Sequence, residues 1–400
     1  MPQTPTRAFA LALGSISLIG PLVVHIFLPV IPVIRAEFAI SDGLAQLAFS
    51  VAPFTMGLAT LVYGSLSDRY GRRPVLLSGL GLFLVGSAIA AAAHTVALLM
   101  LGRFVQAIGA GCGVTLVRTI ARDAYGPERL VKAIAYLTMF YSLGPMISPI
   151  LGGLLLDHFG WRSVFGFSLL AGASILAGAY FVVYETRPAA APGGNGVGIL
   201  RSYLALFAHL RFTAFVLQTG FSTGTFFVAA TAAAIFMKDY FARPATEFGL
   251  YFLLFPAGYF VGNLLSTRRS GRASIEPMVL AGSLLSVATV ATQAVLLLSG
   301  FMVPIAFFLP GFFLTMAQGM AMPSAQTGAI MTVPELAGTA AGVGVFMQML
   351  CGAAFAQLYG LVTDGTIEPL LVIMSISTTL VLITGAIPFY LSRRKRSGPA

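Results

Sequence analysis

Long runs of residues without charge follow one another from end to end of this chain, and they leave it little choice of solvent. Residues 8–34 lie between Arg7 and Arg35 with no acid, lysine or arginine among them. The same is true of 43–67, 133–156, 163–184, 212–237, 248–267, 336–363 and 369–392. A helix needs about 20 apolar residues to cross the hydrocarbon core of a bilayer, so each run predicts one span. Residues 74–117, with Arg103 as the only strong charge and a break near Ala93-His94-Thr95, hold two. Residues 277–334, broken near Ser299-Gly300, hold two more. The runs are continuous rather than alternating, which excludes the strands of a β-barrel. Charged residues make up 9% of the chain, against about 25% in ordinary globular proteins. The expectation is an all-α membrane protein of twelve transmembrane helices. The 44 glycines suit close approach of helix backbones in lipid.

The net charge of +10 is explained by where the basic residues fall. With alternate loops placed on alternate sides and the N-terminus inside, eighteen basic residues collect inside, four outside (Arg35, Arg162, Lys238 and Arg243), and Arg103 lies within the membrane. That asymmetry predicts both termini in the cytoplasm. Arg393-Arg394-Lys395-Arg396 reads as a stop at an anionic leaflet, and no nucleic-acid partner is expected. Cys112 and Cys351, the two cysteines, sit in apolar stretches. They predict neither a disulfide framework nor a metal site. The N-terminal apolar run is too long, and lacks the cleavage site, for a removed signal peptide.

Glu185 to Leu210, with Ala189-Ala190-Ala191-Pro192-Gly193-Gly194-Asn195-Gly196 inside it, reads as a flexible cytoplasmic linker dividing six spans from six. The predicted bundles are 1–184 and 211–400. Gly64-Ser65-Leu66-Ser67-Asp68-Arg69-Tyr70-Gly71-Arg72-Arg73 after span two is echoed by Gly262-Asn263-Leu264-Leu265-Ser266-Thr267-Arg268-Arg269-Ser270-Gly271-Arg272 after span eight. At an offset of 200, Gly152 and Asp157-His158-Phe159-Gly160 of span five face Gly352 and Gln357-Leu358-Tyr359-Gly360 of span eleven. A six-plus-six duplication of this kind places the solute site near the midplane between the repeats.

Gly64 to Arg73, followed by Pro74, resembles the loop signature of the major facilitator superfamily. Gly64 is read as permitting close helix contact and Gly71 as making a tight turn. The resemblance implies that Asp68 meets neighbouring arginines and the positive start of span eleven, here Thr332-Val333-Pro334-Glu335. Asp123 is the expected partner of Arg72, and with Arg69 and Arg73 the cluster would latch one conformation. Gly144-Pro145-Met146-Ile147-Ser148-Pro149-Ile150-Leu151-Gly152-Gly153 resembles the signature of antiporters in this superfamily and is expected to pack against span eight. Arg103-Phe104-Val105-Gln106-Ala107-Ile108-Gly109 resembles a third family signature. An arginine at membrane depth costs about 2.5–3.5 kcal/mol on insertion scales. Arg103 therefore needs a partner, a wet cavity or a snorkelling geometry.

His25-Ile26-Phe27-Leu28-Pro29-Val30-Ile31-Pro32, Arg122-Asp123, Gly160-Trp161-Arg162, Glu185-Thr186 and Gly338-Thr339-Ala340-Ala341 are similar to the bicyclomycin/chloramphenicol-resistance branch of twelve-span drug:proton antiporters. That branch commonly has an aspartate where this chain has His25, and no span contains a clearly buried carboxylate by this reading. His25 is thus the expected proton site or substrate contact, with Arg103 and Gln106 beside it in function. Tyr141, Gln218, Gln318 and Gln348 are polar residues in apolar helices and candidates for the cavity wall. Fifteen methionines and 32 phenylalanines offer an adaptable apolar surface for hydrophobic solutes. The resemblance implies a monomeric exporter of the bacterial cytoplasmic membrane, coupled to protons. A carrier for one endogenous metabolite, with different coupling or none, stays open. An enzyme is not expected, because no clustered acids, metal set or activated nucleophile occurs. No cofactor is expected, because no Gly-Lys-Ser/Thr loop for ATP occurs.

Overall fold

The computed structural model describes residues 5–187, 203–269 and 275–397. Among them are twelve helices long and apolar enough to cross a membrane. They are α1 (Arg7–Glu37), α2 (Asp42–Tyr70), α3 (Arg72–Ala91), α4 (Val96–Gly126), α5 (Lys132–Phe159) and α6 (Arg162–Val182), then α7 (Leu210–Asp239), α8 (Ala245–Arg268), α9 (Ile275–Leu298), α10 (Pro304–Ile330), α11 (Gly338–Val362) and α12 (Glu368–Arg393). The helices run past the uncharged stretches at most ends. The added terminal turns carry charged residues, among them Asp42 at the start of α2 and Arg69 at its end.

Local chemistry sets the boundaries. The Thr6 hydroxyl accepts from Phe9 N at 3.2 Å and starts α1, and Thr95 does the same for Leu98 N at 3.2 Å in α4. Gly126, at φ 68°, breaks the helical run that would otherwise join α4 to α5. Two spans are broken inside. In α1 the α-helix Arg7–His25 gives way to a 3-10 turn, Leu28–Val30, before Ile31–Glu37. Pro29 and Pro32 cannot donate to the carbonyls four residues earlier, which forces the change. In α8 the helix stops at Phe252 and resumes at Leu254, because Pro256 removes the amide that Phe252 O would have used.

Small residues set the packing distances. A Cβ on Gly86 of α3 would lie 2.5 Å from Gln106 Cα of α4, and one on Gly102 2.5 Å from Ala90 N. Between α8 and α10, a Cβ on Gly258 would lie 2.8 Å from the Phe312 carbonyl carbon. Backbones touch at these points, which is how helices gain dispersion energy in a solvent that offers no hydrophobic drive. Gly64 is different from what its sequence context suggested. Open space surrounds the position its Cβ would take.

The chain divides into two compact units. One is drawn from Met1–Ile40, Leu47–Asn195 and Pro244–Gly249, and the other from Ser41–Gln46, Gly196–Arg243 and Leu250–Ala400. Of the expected linker 185–210, residues 188–202 lie outside the described residues, as do Ser270-Gly271-Arg272 of the repeated loop. The described parts of the linker are held. Residues 203–207 are helical, and Leu206 is buried with Phe212, Phe215, Val279 and Ala325. An apolar side chain every few residues was hidden there by the small and basic residues that precede it.

Candidate functional site

The first unit is built around Arg103, whose side chain is fully buried in α4. Its Nη1 donates to Val23 O of α1 at 2.9 Å and its Nε to Ala48 O of α2 at 3.2 Å. A longer contact of 3.4 Å joins Nη1 to Gln106 Oε1 one turn along α4. The guanidinium lies 4.1 Å from the centre of the Phe27 ring, a cation–π distance. Gln106 passes the chain on, donating from Nε2 to Ser87 Oγ of α3 at 3.0 Å, and Ser87 donates to Phe83 O at 2.7 Å. One buried charge on α4 thus ties α1 and α2 through their carbonyl oxygens and α3 through Gln106 and the Ser87 hydroxyl. Snorkelling is excluded by the burial. Nη2 has no hydrogen-bond partner among the described residues.

His25 closes the first helical segment of α1, two residues beyond Val23, and is 8% exposed. Its Nδ1 lies 2.7 Å from Pro21 O. A carbonyl only accepts, so Nδ1 carries the hydrogen and Nε2 is the nitrogen on which a further proton would be taken up. In the second unit, Gln318 of α10 donates to Ser222 O of α7 at 2.6 Å. Gln218, one turn before Ser222, is 1% exposed, and among the described residues neither of its amide atoms nor Gln348 Nε2 on α11 has a hydrogen-bond partner. Buried amides without partners are the groups a bound water or solute satisfies. Tyr141 on α5 is half-buried.

The glycines of the α5 signature do not share one neighbour. A Cβ on Gly144 would strike Pro21, and one on Gly152 would strike Ile26 O, both on α1. Gly153 faces Ala245 at the start of α8, and Gly249 of α8 faces Pro149 O, at 2.8 Å from its notional Cβ. Pro145 is half-buried. The expectation that this signature packs on span eight therefore holds for part of it: Pro149, Ile150 and Gly153 meet the start of α8, whereas Gly144 and Gly152 hold the broken α1. The residues on successive faces of a 3.6-residue turn cannot all point one way.

The turn between α2 and α3 is a charge cluster. Arg72, with a side chain 4% exposed, meets Asp68 Oδ1 at 2.6 Å, Asp123 Oδ2 at 3.1 Å and Ser67 Oγ at 2.6 Å. Arg122 reaches the other oxygen of Asp123 at 3.3 Å. Glu185, of the Glu185-Thr186 pair, takes a role that its sequence context does not announce. Its carboxylate accepts from the amides of Arg72 (2.9 Å), Arg73 (3.1 Å), Thr186 (3.0 Å) and Arg187 (2.9 Å). Two of these are the first amides of α3, so Glu185 caps that helix from a distance of more than a hundred residues. Gly71 turns at φ 99°, and a Cβ there would lie 2.6 Å from Glu185 Oε2. Arg73 donates to Val183 O and Tyr180 O at 2.8 Å each, and Arg187 to Arg69 O at 2.9 Å.

Burial raises the Glu185 carboxyl, but the amide donors of Arg187, Arg72, Arg73 and Thr186 together outweigh it and hold the pKa below the usual carboxylate range. The sign follows: a depressed folded pKa contributes stability that is fully present above the unfolded value of about 4.3 and is lost as pH falls through the folded value. Glu185→Gln is expected to lower the hydrogen-exchange protection of 69–74 at pH 7, whereas the wild type loses that protection only as pH falls through the depressed carboxyl pKa. Equal exchange in the two proteins at pH 7 would refute the capping role.

Two carboxylates are more buried than the sequence suggested. The Asp123 side chain is 7% exposed and that of Glu276 8%, the latter paired with Arg211. Both stand in terminal turns and both have an arginine. Neither position is distinguishable in sequence from a solvated loop acid.

Comparison with known proteins places these features. The sequence profile of the Major Facilitator Superfamily matches residues 13–356. The chain is 27% identical to the multidrug resistance protein D of Escherichia coli over 372 residues, covering 91% of both chains. It is 25% identical to the bicyclomycin resistance protein homolog of Haemophilus influenzae, covering 99% of both. Among solved structures it resembles a D-xylose-proton symporter, with a TM-score of 0.78 at 14% identity over 95% of this chain and 96% of that one. The human organic anion transporter MFSD10 gives a TM-score of 0.70 at 20% identity over 96% of this chain and 100% of that one.

Proposed function

Because the chain belongs to the Major Facilitator Superfamily, we propose that it is a secondary active transporter that exports small hydrophobic compounds or drugs from a bacterial cytoplasm by alternating access and proton antiport. Two relatives matched along nine-tenths or more of their length are named for multidrug and bicyclomycin resistance. The observation that carries the reading is the buried centre at the break of α1. There Arg103 is bonded to Val23 O, two residues from His25. Arg103 of α4 thus grips the stretch of α1 that carries His25, so a shift of Arg103 moves the turn that presents the titratable ring. Gln106 relays that position to α3, and Gln218, Gln318, Gln348 and Tyr141 offer polar contacts in otherwise apolar walls. The protein acts as a monomer in the cytoplasmic membrane with both termini inside, as its basic residues favour. Two six-helix bundles, 1–184 and 211–400, form the moving parts, and the Asp68–Arg72–Asp123 cluster with Gly71 and Glu185 steadies one state on the cytoplasmic face.

A second reading rests on His25 itself: a chain with histidine at this point of α1 suits one endogenous metabolite, with altered coupling or none.

The test is substrate-induced proton movement in everted vesicles, read with a pH dye, for wild type and His25→Ala. Chloramphenicol, ethidium and a set of small metabolites are offered. Proton release by the wild type that is lost in a stably expressed His25→Ala is the expected result, a fall of about tenfold or more. Release that survives the substitution removes His25 as the carrier. Transport of a single metabolite without proton movement would favour the second reading.

A further inference from the structure

The last turn of α5 contains an acid that its own helix disfavours. Asp157 lies two residues from the end of α5 (Lys132–Phe159), where the exposed carbonyls of a helix repel an anion. Its carboxylate is stabilised elsewhere. Oδ1 accepts from Ala245 N at 3.1 Å, and Oδ2 accepts from Thr246 N and Thr246 Oγ1 at 2.7 Å each. These are the first two amides of α8, donors that a helix leaves without internal partners. Glycines let the two pieces close. Gly153 sits under Ala245, and a Cβ on Gly249 would lie 2.6 Å from Ile150 Cα. The held segment, Pro244–Gly249, is counted with the first unit, whereas α8 from Leu250 onward belongs to the second.

The repeated half carries a counterpart. Two hundred residues after Asp157 stands Gln357, near the end of α11. Its Nε2 donates to Gly43 O, in the first turn of α2, at 3.0 Å. A Cβ on Gly360 would lie 2.6 Å from Gln46 Cγ, and one on Gly43 2.9 Å from Leu361 Cδ2. Here too the held segment, Ser41–Gln46, is counted with the unit that contains α11, while α2 from Leu47 belongs to the other.

We propose that Asp157 and Gln357 are positioning residues of the transport cycle: one ionic and one amide hold keep the first turns of α8 and α2 on the ends of α5 and α11, and these holds break and re-form as the outer side opens and closes. The proposal rests on the alternating-access reading given above, and on its topology, which puts these ends outside. The two holds are unequal. A carboxylate accepting from three donors is charge-assisted, whereas the amide makes a single neutral bond. Asp157 is exposed, so water competes for the carboxylate and the hold stays reversible. The α8 side therefore opens last and closes first.

The experiment needs no transported compound. The full chain is placed in lipid nanodiscs, and hydrogen exchange is followed by mass spectrometry in the peptides covering 241–250 and 41–47. Asp157→Ala is expected to speed exchange at Ala245 and Thr246 by about tenfold or more, with Asp157→Glu restoring much of the protection. Gln357→Ala is expected to speed exchange in 41–47 by a smaller factor. In parallel, Ile150→Cys is placed in a Cys112→Ala, Cys351→Ala background and labelled with an impermeant maleimide, in intact cells and in everted vesicles. Labelling from the outside should rise several-fold when Asp157→Ala is added. Unchanged exchange in Asp157→Ala overturns the hold. Unchanged exchange in Gln357→Ala overturns the pairing. Faster exchange without a rise in labelling reduces Asp157 to a cap on a fraying helix and overturns its part in gating. Labelling that rises only in everted vesicles overturns the assigned side. Absence of proton movement with every compound would count against the coupled-export reading alone.

Discussion

Arg103→Met is expected to lower the stability of the folded protein by roughly 2–5 kcal/mol and to cut transport by about tenfold or more. The arithmetic has two opposing parts. Three hydrogen bonds, to Val23 O, Ala48 O and Gln106 Oε1, are lost, and a bond to a charged group contributes about 1.5–3 kcal/mol. Against this stands relief from holding a cation in the membrane, about 2.5–3.5 kcal/mol. The bonds win, because removing the donor also strands acceptors at the broken part of α1. Methionine keeps the length of the side chain, so the loss is one of bonding rather than volume. Arg103→Lys is expected to fail nearly as badly: an ammonium cannot address Val23 O and Ala48 O as a planar fork does. Thermal unfolding midpoints in detergent, beside the proton-movement assay, check both. A variant with the wild-type midpoint and normal turnover would show that the network is decoration.

Gly86→Val is expected to reduce the amount of folded protein in the membrane several-fold, whereas Gly81→Val on the same helix is expected to be tolerated. A Cβ on Gly86 meets backbone atoms of Gln106, with Cα at 2.5 Å, and Gly102 O at 2.7 Å. Backbone cannot turn aside as a side chain can, so α3 and α4 must separate. Overpacking of this kind costs about 1–3 kcal/mol, and more where the neighbours are rigid. Around Gly81 there is open space. The pair separates crowding from any general dislike of valine in α3. The displaced residue is Gln106, which bonds both Arg103 and Ser87. Whatever Gly86→Val protein does fold should therefore also transport poorly. Membrane abundance by quantitative blotting, followed by transport per folded molecule, distinguishes the two effects.

The number and order of the spans were legible because they depend on one-dimensional composition. Ten apolar runs, two of them long enough for two spans, correspond to twelve helices among the described residues, with the breaks in the long runs at 92–95 and 299–303 where small and polar residues interrupt them. The site was legible in its residues but not in its bonds. Arg103 announces itself, yet two of its three acceptors are main-chain carbonyls of Val23 and Ala48, which no residue type encodes. Glycines were legible only as a population. Gly71 and Gly153 do what their motifs suggest, Gly144 and Gly152 face a different helix from the one expected, and Gly64 meets open space. A glycine's partner lies on another helix, and helix rotation is a tertiary property. Glu185 was visible within a family-like pair but without a task, since the amides it caps lie 112 and 113 positions earlier. Asp157 and Gln357 were aligned by the offset of 200, but the partners that give the alignment meaning could not be read.

The way Pro244–Gly249 and Ser41–Gln46 are shared out bears on how such a chain is recombined. A hybrid joined within 188–202 exchanges the residues before and after the linker between two relatives. It would graft the start of one parent's α8 onto the end of the other's α5, and the same at α2 and α11. Crossovers that carry 244–249 along with the α5 segment around Asp157, and 41–46 along with the α11 segment around Gln357, keep each parental fit intact. In a library of hybrids, survivors should therefore cluster by the match of these two short segments rather than by the position of the join in the linker.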